Sequence, residues 1–192
     1  MKVFGIDPGS TRTGYGCIQS DGSRHRLLDC GVVASSPGTS FPARLLAIHA
    51  GLTELIRGHR PDCVAVENVF AAVNIRSALR LGHARGVAVL AAAEAAVPIV
   101  EYSPAEVKRA VVGFGRAEKQ QVQQMVALLL GLDRVPTPHD AADALAVAIC
   151  HLHGTPPVPL GEPESAGDAP SVRRWRDYRP GAGVPGRAAR SR

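Results

Sequence analysis

The stretch VFGIDPGSTRTGYGCI, residues 3–18, decides the fold. Val3 to Ile6 is an apolar run of the length of a buried strand, and it ends in a carboxylate, Asp7, followed at once by the turn formers Pro8 and Gly9. An extended pattern resumes in TGYGCIQS (13–20) and, past a turn at Asp21 and Gly22, in RLLDCGVVAS (26–35), so the first third reads as three strands joined as hairpins. Asp7 has a modest explanation, an Asx-type turn, and a chemical one, membership of a site built where the strands of a sheet give out.

Working outward, residues 43–56 repeat apolar side chains at helical spacing (Leu45, Leu46, Ile48, Leu52, Leu55, Ile56) and stop before Pro61. CVAVEN (63–68) is a second short apolar run, and it ends in Glu67 much as the first ends in Asp7. A long Ala-rich helix over 74–96, a brief strand over 99–101 and helices over 104–112, 118–130 and 139–152 follow. Strands first, then alternating helices and strands, predict an α/β fold: a mixed five-stranded sheet flanked by helices. A helical crossover between the two apolar runs makes their strands parallel neighbours, which brings Asp7 and Glu67 to one edge of the sheet.

The last helix adds two more acids. In TPHDAADALAVAIC (137–150), Thr137 is expected to cap, Pro138 to take the first helical position, and Asp140 to fall in the capping turn. Asp143 lies one turn further in, on a face otherwise made of Ala144 and Val147 that should pack on the sheet. A carboxylate pointing inward needs a partner, and no Lys or Arg is near it in sequence. Four carboxylates side by side cannot all ionise without raising one another's pKa. A divalent cation resolves the conflict; hard oxygen ligands, without Cys or His at zinc spacing, favour Mg²⁺, with Mn²⁺ as a substitute. Two such ions about 4 Å apart suit phosphodiester hydrolysis.

Composition sets the surroundings. The chain has 192 residues, a formal charge of +5 and only 4% aromatics, so the core rests on Ala, Val, Leu and Ile. Residues 155–192 hold seven Arg, four acids and seven of the fifteen prolines, and are expected to form a disordered tail behind a single nuclease domain spanning 1–154. Cys17, Cys30, Cys63 and Cys150 are far apart and mostly in apolar runs, which predicts buried thiols in a reducing compartment. The start shows no signal segment, and the longest apolar stretch (86–100) is broken by Glu94 and Pro98, so a cytoplasmic protein with no membrane contact is expected.

GIDPGSTRTGYG, VENVFAAVN, SALRLGHARGVA, VKRAVVGFGRAEKQQVQQMV and HDAADALAVAI, in this order, resemble successive blocks of the RuvC family of Holliday-junction endonucleases. The resemblance covers almost all of residues 1–153 and implies an RNase H-like fold, a homodimer, and symmetric Mg²⁺-dependent cleavage of a four-way DNA junction leaving 5′-phosphate and 3′-hydroxyl ends. It places Asp7, Glu67, Asp140 and Asp143 on the family's four acidic catalytic and metal-binding positions. Phe70 matches an aromatic that contacts DNA bases near the junction centre, and Lys108 and Lys119 match basic residues near the scissile phosphate. A branch-migration helicase complex (RuvA and RuvB) is the implied partner.

Gly82 and Gly86 mark the 74–96 helix either as a dimer surface or as a face packed closely on its own sheet; Arg76, Arg80 and Arg85 on it could follow a DNA backbone. The first loop also resembles that of actin-like ATPases, but those need a second related domain that a chain of this length has no room for.

Overall fold

The computed structural model describes residues 1–68 and 74–154. Strands β1 (Lys2–Asp7), β2 (Arg12–Ser20) and β3 (His25–Ala34) form the antiparallel part of the sheet. Helix α1 (Phe41–His59) leads to β4 (Cys63–Glu67), helix α2 (Ile75–Glu94) to β5 (Ile99–Tyr102), and helices α3 (Pro104–Val112), α4 (Lys119–Leu129) and α5 (His139–Leu152) complete the fold. The spatial order is β3-β2-β1-β4-β5. β1 runs antiparallel to β2 and parallel to β4, which is parallel to β5. The mixed five-stranded sheet flanked by helices is thus the architecture observed, with element ends displaced from the sequence expectation by a few residues at most.

Side-chain alternation divides the sheet into two faces. Phe4, Ile6, Val64 and Val66 pack with Ile48, Leu52 and Ile56 of α1 and the alanines Ala84, Ala88, Ala91 and Ala92 of α2. Val3, Cys63, Ala65 and Val100 face the other way, into a cluster with α3, α4 and α5. Asp7 follows the same parity as Val3, and Glu67 that of Cys63 and Ala65. Both acids therefore leave the sheet on the α3–α5 side. Cys17, Cys63 and Cys150 are buried as expected, with Cys30 half-buried.

Two glycines set how closely α5 approaches the sheet. A Cβ on Gly5 would stand 2.1 Å from the Ala144 carbonyl oxygen, and one on Gly14 would stand 2.0 Å from that of Asp140. Without side chains there, the first half of α5 lies directly on β1 and β2. Its C-terminal half is tied to β5 by a hydrogen bond between the Tyr102 hydroxyl and His151 Nδ1 at 2.8 Å.

The start of α5 departs from the capping expected of Thr137. Pro138 itself occupies the N-cap position in an extended conformation, with no side-chain cap bond, and helical geometry begins at His139. The first-turn amide of Ala141 is bonded to the Pro138 carbonyl at 2.9 Å instead. Phe70 and the expected tail, 155–192, lie outside the described residues.

Candidate active site

The site grows from the parallel pairing of β1 and β4. Ile6 pairs with Val66, so Asp7 and Glu67 are the next residues out on neighbouring strands and on the same face. Thr13, fully buried, closes the turn after Asp7 by donating from its hydroxyl to the Gly9 carbonyl at 3.1 Å. Asp7 faces Glu67 across the pairing of β1 with β4, and each carboxyl acts on the other's ionisation.

α5 supplies the other two acids. Its first turn lies on Gly14 of β2, the residue paired with Asp7, and one carboxylate oxygen each from Asp7, Asp140 and Asp143 falls within 4.8 Å of the others. The four sequence-expected acids are therefore one group: three mutually close, and Glu67 beside the first at the end of the neighbouring strand, lining the same cleft. All-oxygen donors at this spacing suit a hard divalent cation and not zinc.

The electrostatics show the strain of gathering them. Burial, and then the charges of Glu67, Asp143 and Asp140, push the Asp7 carboxyl up from 3.8 to about 8. Glu67 is also raised, first by burial, although the hydrogen bond from Asp7 and the charges of Lys119 and Lys108 oppose the rise. Asp140 sits in the first turn of α5, where the helix dipole favours a negative charge.

Two lysines face this cluster across a cleft of about 300 Å³ lined by Asp7, Glu67, Lys108, Lys119 and Asp143. α3 is fixed at its start by a reciprocal cap: Ser103 N–H donates to Glu106 Oε2 at 2.7 Å and Glu106 N–H to Ser103 Oγ at 3.3 Å, which aims Lys108, one turn on, into the cleft. α4 begins at Lys119, with Glu118 N–H donating to Gln121 Oε1 at 2.9 Å. Lys119 Nζ lies 2.5 Å from Asp143 Oδ2. Partial burial would lower the Lys119 ammonium's pKa, but the bond and charge of Asp143, with Asp7 and Asp140 behind it, raise it on balance.

Asp143 thus has the partner that its inward position demands, delivered from another helix where sequence proximity offered none. A second donor was also missed: Gln123 Nε2 reaches Asp143 Oδ1 at 3.3 Å. The signal that could have found it is its spacing, one helical turn after Lys119 on the same face of α4.

The arginines of α2 separate. Arg76 and Arg80 are exposed, Arg80 standing 5.7 Å over the Phe41 ring. Arg85 instead turns inward and pairs with Glu101 of β5, which also accepts from Asn68 Nδ2 at 3.4 Å. It is committed to the fold and not available to a DNA backbone. Gly82 and Gly86 face outward with nothing described near them, so they do not pack on the sheet.

The family model described as "Crossover junction endodeoxyribonuclease RuvC" matches residues 3–151. A protein of that name from Pelotomaculum thermopropionicum is 52% identical over 153 residues, 80% of this chain and 93% of the relative. The structure of Thermus thermophilus RuvC is similar at a TM-score of 0.74 with 41% identity, over 80% of this chain and 94% of that one. The T. thermophilus protein in complex with a Holliday junction substrate gives a TM-score of 0.75 with 39% identity, over 83% and 100% of the two chains. A mixed sheet carrying acids at its strand ends, met by α5, is here the RNase H-like fold of those relatives, and the chain belongs to the RuvC family.

Proposed function

We propose that this chain is a structure-selective endonuclease that resolves four-way (Holliday) DNA junctions by Mg²⁺-dependent phosphodiester hydrolysis, leaving 5′-phosphate and 3′-hydroxyl ends. The observation that carries this reading is the gathering of Asp7, Asp140 and Asp143 within 4.8 Å, with Glu67 beside Asp7 at the end of the neighbouring strand. Family membership and the junction-bound T. thermophilus relative supply the substrate class.

Asp7, Glu67, Asp140 and Asp143 would hold the metal, two ions in each subunit, and their donor set fits it. Mg²⁺ bound there supplies Lewis-acid polarisation of the phosphodiester and activation of water. The chain's own residues do the rest. Asp7 and Glu67 fix one wall of the site from rigid strand ends, and Asp140 and Asp143 fix the other from α5. Lys108 and Lys119 offer positive charge to the phosphate and to the charge that develops on its oxygens during reaction. Phe70, which follows Glu67 by three residues, is the candidate for base contacts at the junction centre.

A two-fold dimer presents two identical sites to two opposed strands, so symmetric cutting follows from symmetry. The outer face of α2 suits that contact: Ile75, Leu79 and Leu90 are 81%, 60% and 50% exposed, and Gly82 and Gly86 among them would let a second copy approach closely. Residues 1–154 form the nuclease domain in this reading, with 155–192 an appended tail. Action on recombining DNA beside the branch-migration complex RuvA and RuvB places the protein in the cytoplasm. No described helix is long and apolar enough to cross a membrane.

The test is an end-labelled four-way junction incubated with the protein, with and without Mg²⁺. Paired nicks at symmetry-related positions, lost in Asp7→Asn and Asp143→Asn while junction binding persists, support the proposal. A shifted complex with intact strands would mean a binding module, and faster cutting of RNA:DNA hybrids a general ribonuclease.

A further inference from the structure

The geometry points to Gln123 as a positioning residue that fixes the Asp143 carboxylate for metal binding by holding its Oδ1 oxygen. The inference rests on the metal site proposed above and concerns a side chain which that reading does not use.

Helix α4 carries four glutamines. Gln120, Gln121 and Gln124 are exposed, whereas Gln123 is 4% exposed. Burying a primary amide without a hydrogen bond is costly, so a buried Gln needs a partner. Its Nε2 donates to Asp143 Oδ1 at 3.3 Å.

Asp143 therefore has its two oxygens in different hands. Oδ2 meets Lys119, whose side chain is 61% exposed and whose charge is equally suited to a phosphate. That contact can be exchanged when DNA arrives. Oδ1 meets a neutral donor locked in the core between α4 and α5, which nothing from solvent can easily replace. An amide suits this role because it orients a carboxylate without adding a positive charge that would repel an incoming divalent ion. Outer hydrogen-bond partners of this kind set the orientation of ligating carboxylates, and their loss commonly weakens metal affinity about 10–100-fold.

The experiment compares Gln123→Met, which keeps length and loses the donor, and Gln123→Ala with the wild type. Mn²⁺ binding to the DNA-free protein is titrated by electron paramagnetic resonance, the Mg²⁺ midpoint of single-turnover junction cleavage is measured, and metal-free melting is recorded. Both midpoints should rise about ten-fold or more in each variant that melts cooperatively, with cleavage recovering at high Mg²⁺. Midpoints within two-fold of wild type overturn the assignment, whether or not melting is lowered, because a purely structural role would move only melting. Wild type and Asp143→Asn in the same titration separate this from the parent reading. If wild type binds Mn²⁺ no better than Asp143→Asn, the metal site falls and Gln123 with it. If wild type binds and both Gln123 variants match it, only the role of Gln123 is lost.

Discussion

Asp7 and Glu67 stand at the ends of two parallel strands, one residue beyond the paired Ile6 and Val66, side by side on the face of the sheet that α5 covers. Burial and the neighbouring acids disfavour the charged form of both carboxyls. The site is therefore under electrostatic tension in the metal-free protein, and a cation relieves it.

That tension has a pH signature. The Asp7 carboxyl ionises near 3.8 in the unfolded chain but holds its proton to about 8 in the fold. Between those values the folded state binds more protons, so the contribution is fully stabilising below the lower value and is lost as pH rises through the upper one. Melting of the chelator-treated protein should fall from pH 5 to 8.5 more steeply than that of Asp7→Asn, and added Mg²⁺ should stabilise the wild type more as pH rises. Parallel slopes in the two proteins would contradict this.

The approach of α5 to the sheet makes Gly14 a functional position without any chemistry of its own. A methyl group there would stand 2.0 Å from the Asp140 carbonyl oxygen, so Gly14→Ala must push the first turn of α5 away. Calorimetry should show a loss of about 1–3 kcal/mol, and junction cleavage should fall further than that loss explains. Gly58→Ala, in α1 with open space beside it, is the control and should be neutral or slightly stabilising.

Lys119 pairs with Asp143 but is largely exposed, so the pair contributes little to stability, on the order of 0–1 kcal/mol. Its role near the phosphate should cost much more to remove. Lys119→Gln is expected to melt within a few degrees of wild type while single-turnover cleavage drops about 100-fold. A drop in melting without a drop in rate would reverse the assignment.

The α2 arginines give a divided outcome. Arg85→Ala leaves Glu101, a mostly buried acid, without its cation and should destabilise the protein by about 3 kcal/mol. Arg76→Ala and Arg80→Ala should leave melting nearly unchanged and, if α2 lies along DNA, reduce the salt dependence of junction binding measured by titration.

The strands, the helices and the four acids were legible in the sequence because they rest on short-range signals. β1 and β4 announce themselves as apolar runs ending in acids, and their parallel pairing follows from the crossover between them. Asp143 was legible as an acid on an apolar stripe. What was hidden is decided by packing between elements distant along the chain. Lys119 and Gln123 reach Asp143 from α4, and Arg85 looks like any exposed helix charge until β5 puts Glu101 in front of it. The expected Thr137 cap failed for a local reason: the extended Pro138 takes the cap position itself, and its carbonyl serves the first turn.

Whether these acids form one metal centre can be read from anomalous diffraction of crystals soaked in Mn²⁺. A peak is expected in direct coordination with carboxylate oxygens of Asp7 and of Asp140 or Asp143, absent in Asp7→Asn crystals. Peaks confined to other surface acids at saturating Mn²⁺, with the cluster unchanged, would contradict it.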